Sequence, residues 1–373
     1  MVRASRTLGA GGSRSGMNVL DRYIATAVLR SVALVLAVLI SVGTVFEFMG
    51  QLPDVGTAQY SIGDAMVYVV LRIPRLLVRL LPAAALIGAL LGLGNLAVQR
   101  ELVVMRASGV SLLRLSGSVA AAGVVLMVVM ALLGESLAPS MTVYARDLRT
   151  RALLDTEDLA SGGASTWLKS GDRIVNLRRE ADGFGFGGVY LFELDGEQGL
   201  THIAHADTTD IDQANRWILE NYAETAFEGQ TGVTASTERL TVKDYGLSLD
   251  LLEFSVIRQD LLDTDGLIRY IDYLQANGLD ATPYLIAFWA RMADIVSVVL
   301  MTLLALPFVL GAMSSSGTGV RVLIGLLIGL AYYVTAQAFA NSGQVFDLDP
   351  RVVAWLPAVA LLLVNALAFS RVR

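Results

Sequence analysis

The chain has 373 residues, 54% of them hydrophobic and only 17% charged. Soluble domains carry about 25% charged residues, so this balance excludes an ordinary soluble protein and points to a bilayer. The absence of cysteine excludes disulfides and thiolate metal sites, and the net charge of -6 has to be read separately on the two sides of a membrane.

Residues 1–16 are rich in Gly, Ser and Arg without an apolar period. They read as a disordered tail, or as upstream sequence if translation begins at Met17. Crossing roughly 30 Å of hydrocarbon takes about 20 apolar residues, and the sequence predicts spans at 31–49, 80–97, 115–137, 285–312, 322–340 and 352–369. The first is too long for a signal peptide and lacks a small-residue cleavage site after it, so it is an anchor. Residues 17–140 thus hold three spans, with a short helix near 97–111. Residues 141–266 form an insert, and 267–373 hold a connecting helix and three more spans.

Short-loop arginines set the orientation. Arg22, Arg30, Arg100, Arg106, Arg114, Arg321, Arg371 and Arg373 fall on one side, while Asp54, Asp64, Asp347 and Asp349 fall on the other, with Arg351 the main exception near a loop. Both termini and the Arg100 loop are expected in the cytoplasm, with the large insert outside. Within the insert, strand-like runs at 165–169, 173–177, 189–194, 200–207, 216–227 and 239–242 alternate with turn clusters such as Ala181-Asp182-Gly183 and Asp195-Gly196. That spacing suggests a sandwich or jelly roll. The i,i+3 pair His202 and His205 should point to opposite faces of a strand, as solvated residues rather than metal ligands. Residues 267–277, with Ile268, Ile271 and Leu274 and a closing Gly278, read as a helix leading back to span four.

The chain has only two lysines, Lys169 and Lys243, and neither follows a Gly-rich strand-to-helix turn, so a P-loop is excluded. No nucleophile elbow or zincin helix is present. Uphill work would need a partner that hydrolyses ATP. The stretch 99–109 can form about three helical turns, with Leu102, Met105 and Ala107 alternating with Arg100, Glu101 and Arg106. It is either a segment that inserts into a groove of another protein or an ordinary basic loop. Arg72, Arg75 and Arg79, around Pro74 and Pro82, cap the outer end of span two. They either anchor the interface by snorkelling or form a basic rim for a phosphorylated lipid head. Gly88-x-x-x-Gly92 and Gly325-x-x-x-Gly329 allow close helix approach. Pro307 predicts a kink in span four, and Arg291 and Asp294 share a helical face on which they can neutralise each other.

Three segments together resemble the lipopolysaccharide-export permease family LptF/LptG, with the closer likeness to its LptG type. They are Leu20-Asp21-Arg22-Tyr23-Ile24, Leu86-Ile87-Gly88-Ala89-Leu90-Leu91-Gly92-Leu93-Gly94 and Glu101-Leu102-Val103-Val104-Met105-Arg106-Ala107-Ser108-Gly109. Gly134-Glu135, Ala138-Pro139 and Gly319-Val320-Arg321-Val322 add to it, and the likeness runs from Leu20 onward. It implies an α+β membrane protein with six transmembrane helices and a periplasmic β-jelly-roll-like domain inserted between helices three and four, in the inner membrane. It further implies a permease, not an enzyme, within an ABC exporter of lipopolysaccharide. The implied partners are an LptF-like permease subunit, a cytoplasmic LptB-like ATPase dimer that uses the ATP and Mg, an LptC-like membrane protein and an LptA-like periplasmic bridge. The chain would carry no cofactor of its own, and no nucleic acid is involved.

By the same resemblance, Arg100, Glu101, Leu102, Met105, Arg106, Ser108 and Gly109 belong to the helix that seats in the ATPase. Arg75, Arg79, Arg146 and Arg149 meet the phosphorylated sugars, and Gly325 and Gly329 line a lateral gate toward span one of the partner. In span one this chain has Glu47 where better-known members carry a lysine. A carboxylate cannot attract phosphate, so nearby arginines replace it, or it pairs with a cation such as Arg75, or it holds a bridging divalent ion. Two other readings compete. One is a membrane-anchored envelope sensor or assembly factor with a ligand-binding β domain, against which stands the absence of any output domain. The other is an intramembrane enzyme using Glu47, Glu135 and Asp294.

Overall fold

The computed structural model describes residues 19–153, 165–179, 186–195, 199–211, 216–228, 232–243, 262–311, 317–345 and 348–371. The tail at 1–16, Met17 and the Ala181-Asp182-Gly183 turn lie outside the described residues. Ten α-helices are described: α1 (Val19–Gln51), α2 (Ile62–Leu71), α3 (Ile73–Val98), α4 (Glu101–Ala107), α5 (Leu112–Leu132), α6 (Ala138–Leu153), α7 (Thr264–Ala276), α8 (Thr282–Leu310), α9 (Thr318–Val345) and α10 (Pro350–Arg371). Six helical stretches are long and apolar enough to span a bilayer: α1, α3, α5 continued by α6, α8, α9 and α10. The protein is thus an α+β membrane protein with six spans and a β insert between the third and fourth.

α3 and α8 are the most buried spans and α1 and α9 the least. α3 packs against α1, α5, α8 and α9, so it is the central post of the bundle. Small residues permit this. A Cβ on Gly88 would come within 2.4 Å of the Val32 backbone, and one on Gly92 within 2.9 Å of the Ala27 carbonyl, both on α1. Gly325 and Gly329 of α9 meet Ile87 and Ala83 of α3. The expected sliding face of span five is therefore already occupied within the chain, because those glycines are what brings α9 onto the post.

α5 and α6 form one long rod joined by a π-helical turn at Leu133–Leu137. Pro139 has no N–H to give the Glu135 carbonyl, so the regular ladder cannot continue there. α2 was not anticipated. It is too short to span, yet Ser61 and Asp64 form a full capping box at its start. Ala65, Tyr68 and Val69 on one face are buried, with Tyr68 and Val69 packed beside Ala145 of α6.

The β insert contains β1 (Ser165–Ser170), β2 (Arg173–Arg179), β3 (Phe186–Leu194), β4 (Leu200–Ala206), β5 (Thr208–Ile211), β6 (Trp217–Glu228) and β7 (Gly232–Lys243). All pairings are antiparallel. β4 and β5 keep one register against both neighbours: Val189↔Ala206 and Phe186↔Thr209 toward β3, His205↔Ala223 and Thr208↔Glu220 toward β6. They are a single strand broken at Asp207, so the sheet runs as a six-row meander. Opposite the break, Asn221 has φ 52°, and its side chain donates to Asp207 Oδ2 at 3.0 Å. Buried positions step out of phase here, from Trp217 and Leu219 to Tyr222 on β6 and from Ala206 to Thr209 across β4 and β5. This is how a sheet bends over its own inner face. The inner face holds Leu168, Val175, Leu177, Val189, Leu191 and Trp217, and α7 closes one end of it through Leu267, Ile271 and Leu274.

α7 is tied to the sheet by polar contacts as well. Tyr273 Oη donates to the Lys169 carbonyl at 2.7 Å and accepts the Lys169 N–H at 3.1 Å, while the Gly171 N–H donates to Asn277 Oδ1 at 2.7 Å. Burial, opposed by the Lys169 N–H, pushes the Tyr273 hydroxyl pKa up. His202 and His205 do point to opposite faces. The His205 ring lies 4.4 Å from that of Tyr190, tilted by 45°, on the outside, whereas His202 faces Glu193 on the inside.

Candidate functional sites at the two ends of the bundle

At the sheet end, the spans gather arginines. Arg72 precedes α3 and reaches α1, where its Nη1 donates to Glu47 Oε2 at 2.8 Å. The same nitrogen donates to Tyr68 Oη at 3.2 Å. The Tyr68 ring lies between two guanidiniums, with Arg72 5.5 Å and Arg149 5.8 Å from its centroid. Arg149 in turn binds Asp54 Oδ2 at 2.5 Å. Glu47 therefore meets Arg72 rather than Arg75, and the carboxylates of the cluster hold the arginines in place. Arg146, half-buried, lies one turn before Arg149 on the same side of α6.

Arg75 lies deeper, within electrostatic range of Arg291 on α8. Arg291 donates to the Leu262 carbonyl at 2.9 Å and to Thr264 Oγ1 at 3.2 Å, with Glu135 3.9 Å away. Glu135 accepts the Thr264 N–H at 2.9 Å, so the π-helical turn, the start of α7 and α8 meet at one polar knot. Asp294 instead accepts from Tyr332 of α9 at 3.2 Å. The expected pairing of Arg291 with Asp294 is replaced by contacts from each to other helices. Arg79 donates to the hydroxyl of Tyr333, also on α9, and its guanidinium stands 5.1 Å from that ring.

The four arginines expected to meet the sugars are thus divided: Arg149, with Arg146 one turn away, belongs to the Asp54 and Tyr68 cluster, Arg75 lies near Arg291, and Arg79 is held by Tyr333. Sequence reading did not anticipate Tyr68 and Asp54 as partners of Arg149, or Tyr333 as the partner of Arg79, since contacts between separate helices leave no periodic trace. Arg291 was readable, because a charge nine residues into an apolar run is costly unless it has a role.

At the opposite end, α4 is shorter than anticipated, with seven residues against the expected three turns. Arg100 before it takes a left-handed conformation (φ 62°), and Gly109 after it does so too (φ 94°). Leu102 is 0% exposed and joins the main core of the spans. Met105 packs against the same core. Glu101 faces Tyr23 of α1. Arg100, Arg106, Ser108 and Gly109 are exposed. The apolar groups presented outward are Val103 and Val104, 62% and 65% exposed, which the sequence pattern did not single out. Nearby, Asp21 accepts from Ser118 Oγ at 2.8 Å and lies 3.5 Å from Arg114 Nε, joining α1 to α5.

The chain matches the family model described as "Lipopolysaccharide export system permease LptF/LptG" over residues 22–371. It is 31% identical over 348 residues to the lipopolysaccharide export system permease protein LptG of Escherichia coli strain K12, covering 93% of this chain and 96% of that protein. It is 29% identical over 364 residues to the protein of the same name from Haemophilus influenzae, covering 96% and 99%.

Proposed function

Because the chain belongs to the lipopolysaccharide export permease family LptF/LptG and is a multi-pass inner-membrane protein, we propose that it is the LptG-type half of an ABC exporter. It pairs with an LptF-like subunit to enclose a cavity open to the outer leaflet. A cytoplasmic ATPase dimer docks on α4 and supplies the energy, so this chain makes and breaks no covalent bond. The short-loop arginines put α4 and both termini in the cytoplasm and the sheet in the periplasm.

The observation that carries this reading is the form of α4. Leu102 roots it in the span core, while Val103, Val104, Arg100 and Arg106 face outward at the end opposite the sheet. A partner that grips those outward groups moves the spans through a buried, incompressible contact. Glu101 and Arg106 add charges that fix the register of docking. At the other end, Arg72, Arg75, Arg79, Arg146 and Arg149 form the basic rim that holds the phosphorylated sugars of lipopolysaccharide. Glu47 acts there as an internal counter-ion, exchanging Arg72 with substrate phosphate. The bent sheet acts as the jelly roll that hands the lipid to an LptC-like protein and an LptA-like bridge.

Native mass spectrometry of the gently extracted protein tests the assembly. A second six-span subunit, two ATPase copies and a bound phosphorylated glycolipid are expected. A lone chain or homodimer without ATPase in several mild detergents refutes it.

A further inference from the structure

Beside its apolar cluster, the inner face of the bent sheet carries a band of paired charges. Arg173, Glu193, His202, Glu224 and Lys243 come from five different strands and all point inward. They line a cavity of about 200 Å3, together with Leu191, Ala204 and Tyr222. Arg173 Nε binds Glu193 at 3.0 Å, and Lys243 Nζ binds Glu224 at 2.9 Å and Tyr222 Oη at 2.6 Å. His202 Nδ1 is shut off from solvent, 3.5 Å from Glu193 Oε2, and makes no hydrogen bond among the described residues. Apolar groups of similar shape would close such a space at least as stably as these charges.

We infer that this band is a second binding site, for a phosphorylated sugar headgroup whose acyl chains lie along the apolar inner face. The inference rests on the proposed function and names a substrate contact in the sheet, distinct from the arginine rim in the spans. With His202 neutral, the two cations and two carboxylates cancel, so there is no excess positive field to hold a free anion. A phosphosugar fits both signs. Its phosphate takes donors from Lys243, Arg173 and His202, and its hydroxyls donate to Glu193 and Glu224. The cavity is smaller than the roughly 300–1,000 Å3 of drug-sized pockets, so a single phosphorylated ring enters and the rest of the amphiphile stays on the apolar floor.

The test places a photoreactive benzoylphenylalanine at Leu191, which lines the cavity from the inner face, in the intact complex in vesicles. The probes are a phosphorylated glucosamine-disaccharide glycolipid and the same lipid without phosphates. Labelling by the phosphorylated lipid is expected, weaker by about tenfold or more for the dephosphorylated one, as loss of a charge-assisted contact requires. Lys243→Met should reduce labelling to a similar degree. Because the lipid comparison needs no substitution of a charged residue, misfolding of that variant cannot mask the result. Equal labelling by the two lipids overturns the site, and displacement by inorganic phosphate alone overturns the lipid assignment in favour of a free anion. If the phosphorylated lipid labels a reporter beside Arg75 but not one at 191, this site falls and the export reading stands. If it labels neither, both fall.

Discussion

Lys243 pairs in register with Trp217, seven residues along β6 from Glu224, yet its Nζ lies 2.9 Å from the Glu224 carboxylate. Seven residues of flat strand cover about 23 Å, so the pair can form only because the strands fold over at Asp207 and Asn221. The ion pair spans the inner space of the insert and ties its two halves together.

That geometry predicts an acid-sensitive insert. The Lys243 hydrogen bond, opposed by burial and helped by Tyr222, holds the Glu224 carboxyl below the usual glutamate range. Its folded pKa is depressed, so the pair's contribution is fully present above the unfolded value of about 4.3 and is lost as pH falls through the folded one. Amide protection of β6 and β7 should therefore hold steady from neutral pH to about pH 5 and drop as the pH falls below about 4. Lys243→Met should flatten that dependence, and an unchanged profile in the variant would show that the pair does not set it.

Glu47 and Arg72 make the corresponding prediction in the spans. Both side chains are mostly buried, and truncating one leaves the other charge without its counter-ion. Glu47→Ala should cost about 1–2 kcal/mol, below the 3–5 of a fully buried pair because some solvent reaches the site. Glu47→Lys should cost more, since it sets two cations side by side. Unfolding of the purified protein in mixed micelles measures both, and equal stability of the three proteins would dismiss the pair as a structural element.

The spans, the strand runs and the helix before span four were legible because each rests on a local period or a run of apolar residues. What the sequence concealed depends on contacts across the fold. The strand run at 200–207 stops at Asp207, so its continuation into β5 went unread, and α2 hides because ten mostly apolar residues neither span a membrane nor look like a loop. Arg75 and Arg149 look equivalent by type, yet one faces α8 and the other Asp54. Leu102 and Val104 are equally apolar, and only the packing of α4 on the core separates root from surface.

The glycines of α3 should differ sharply in tolerance. A methyl on Gly88 would strike the Val32 backbone at 2.4 Å, which can yield only if α1 moves. A methyl on Gly94 would meet the Arg321 guanidinium at 2.5 Å; that side chain can swing, although it is only 2% exposed. Gly88→Ala should cost roughly 2–3 kcal/mol and Gly94→Ala about 1, in line with overpacked cores. The order of folded yields in membranes checks this, and a reversed order would place α1 differently on α3.

α4 offers the separation of folding from coupling. Leu102→Ala removes a fully buried side chain and should cost about 2–4 kcal/mol in the isolated protein. Val104→Asp changes an exposed position and should leave that stability within about 0.5 kcal/mol. If the outward face seats in the ATPase, Val104→Asp should instead weaken ATPase association by tenfold or more, since about 1.4 kcal/mol suffices and a buried unpaired carboxylate costs more. Glu101→Ala should retain assembly while ATP hydrolysis proceeds without lipid release. Pull-down of the ATPase with each variant, beside stability of the same preparations, separates the roles. Should Val104→Asp bind the ATPase normally while Leu102→Ala is fully stable, the assignment of inner and outer faces on α4 would be wrong.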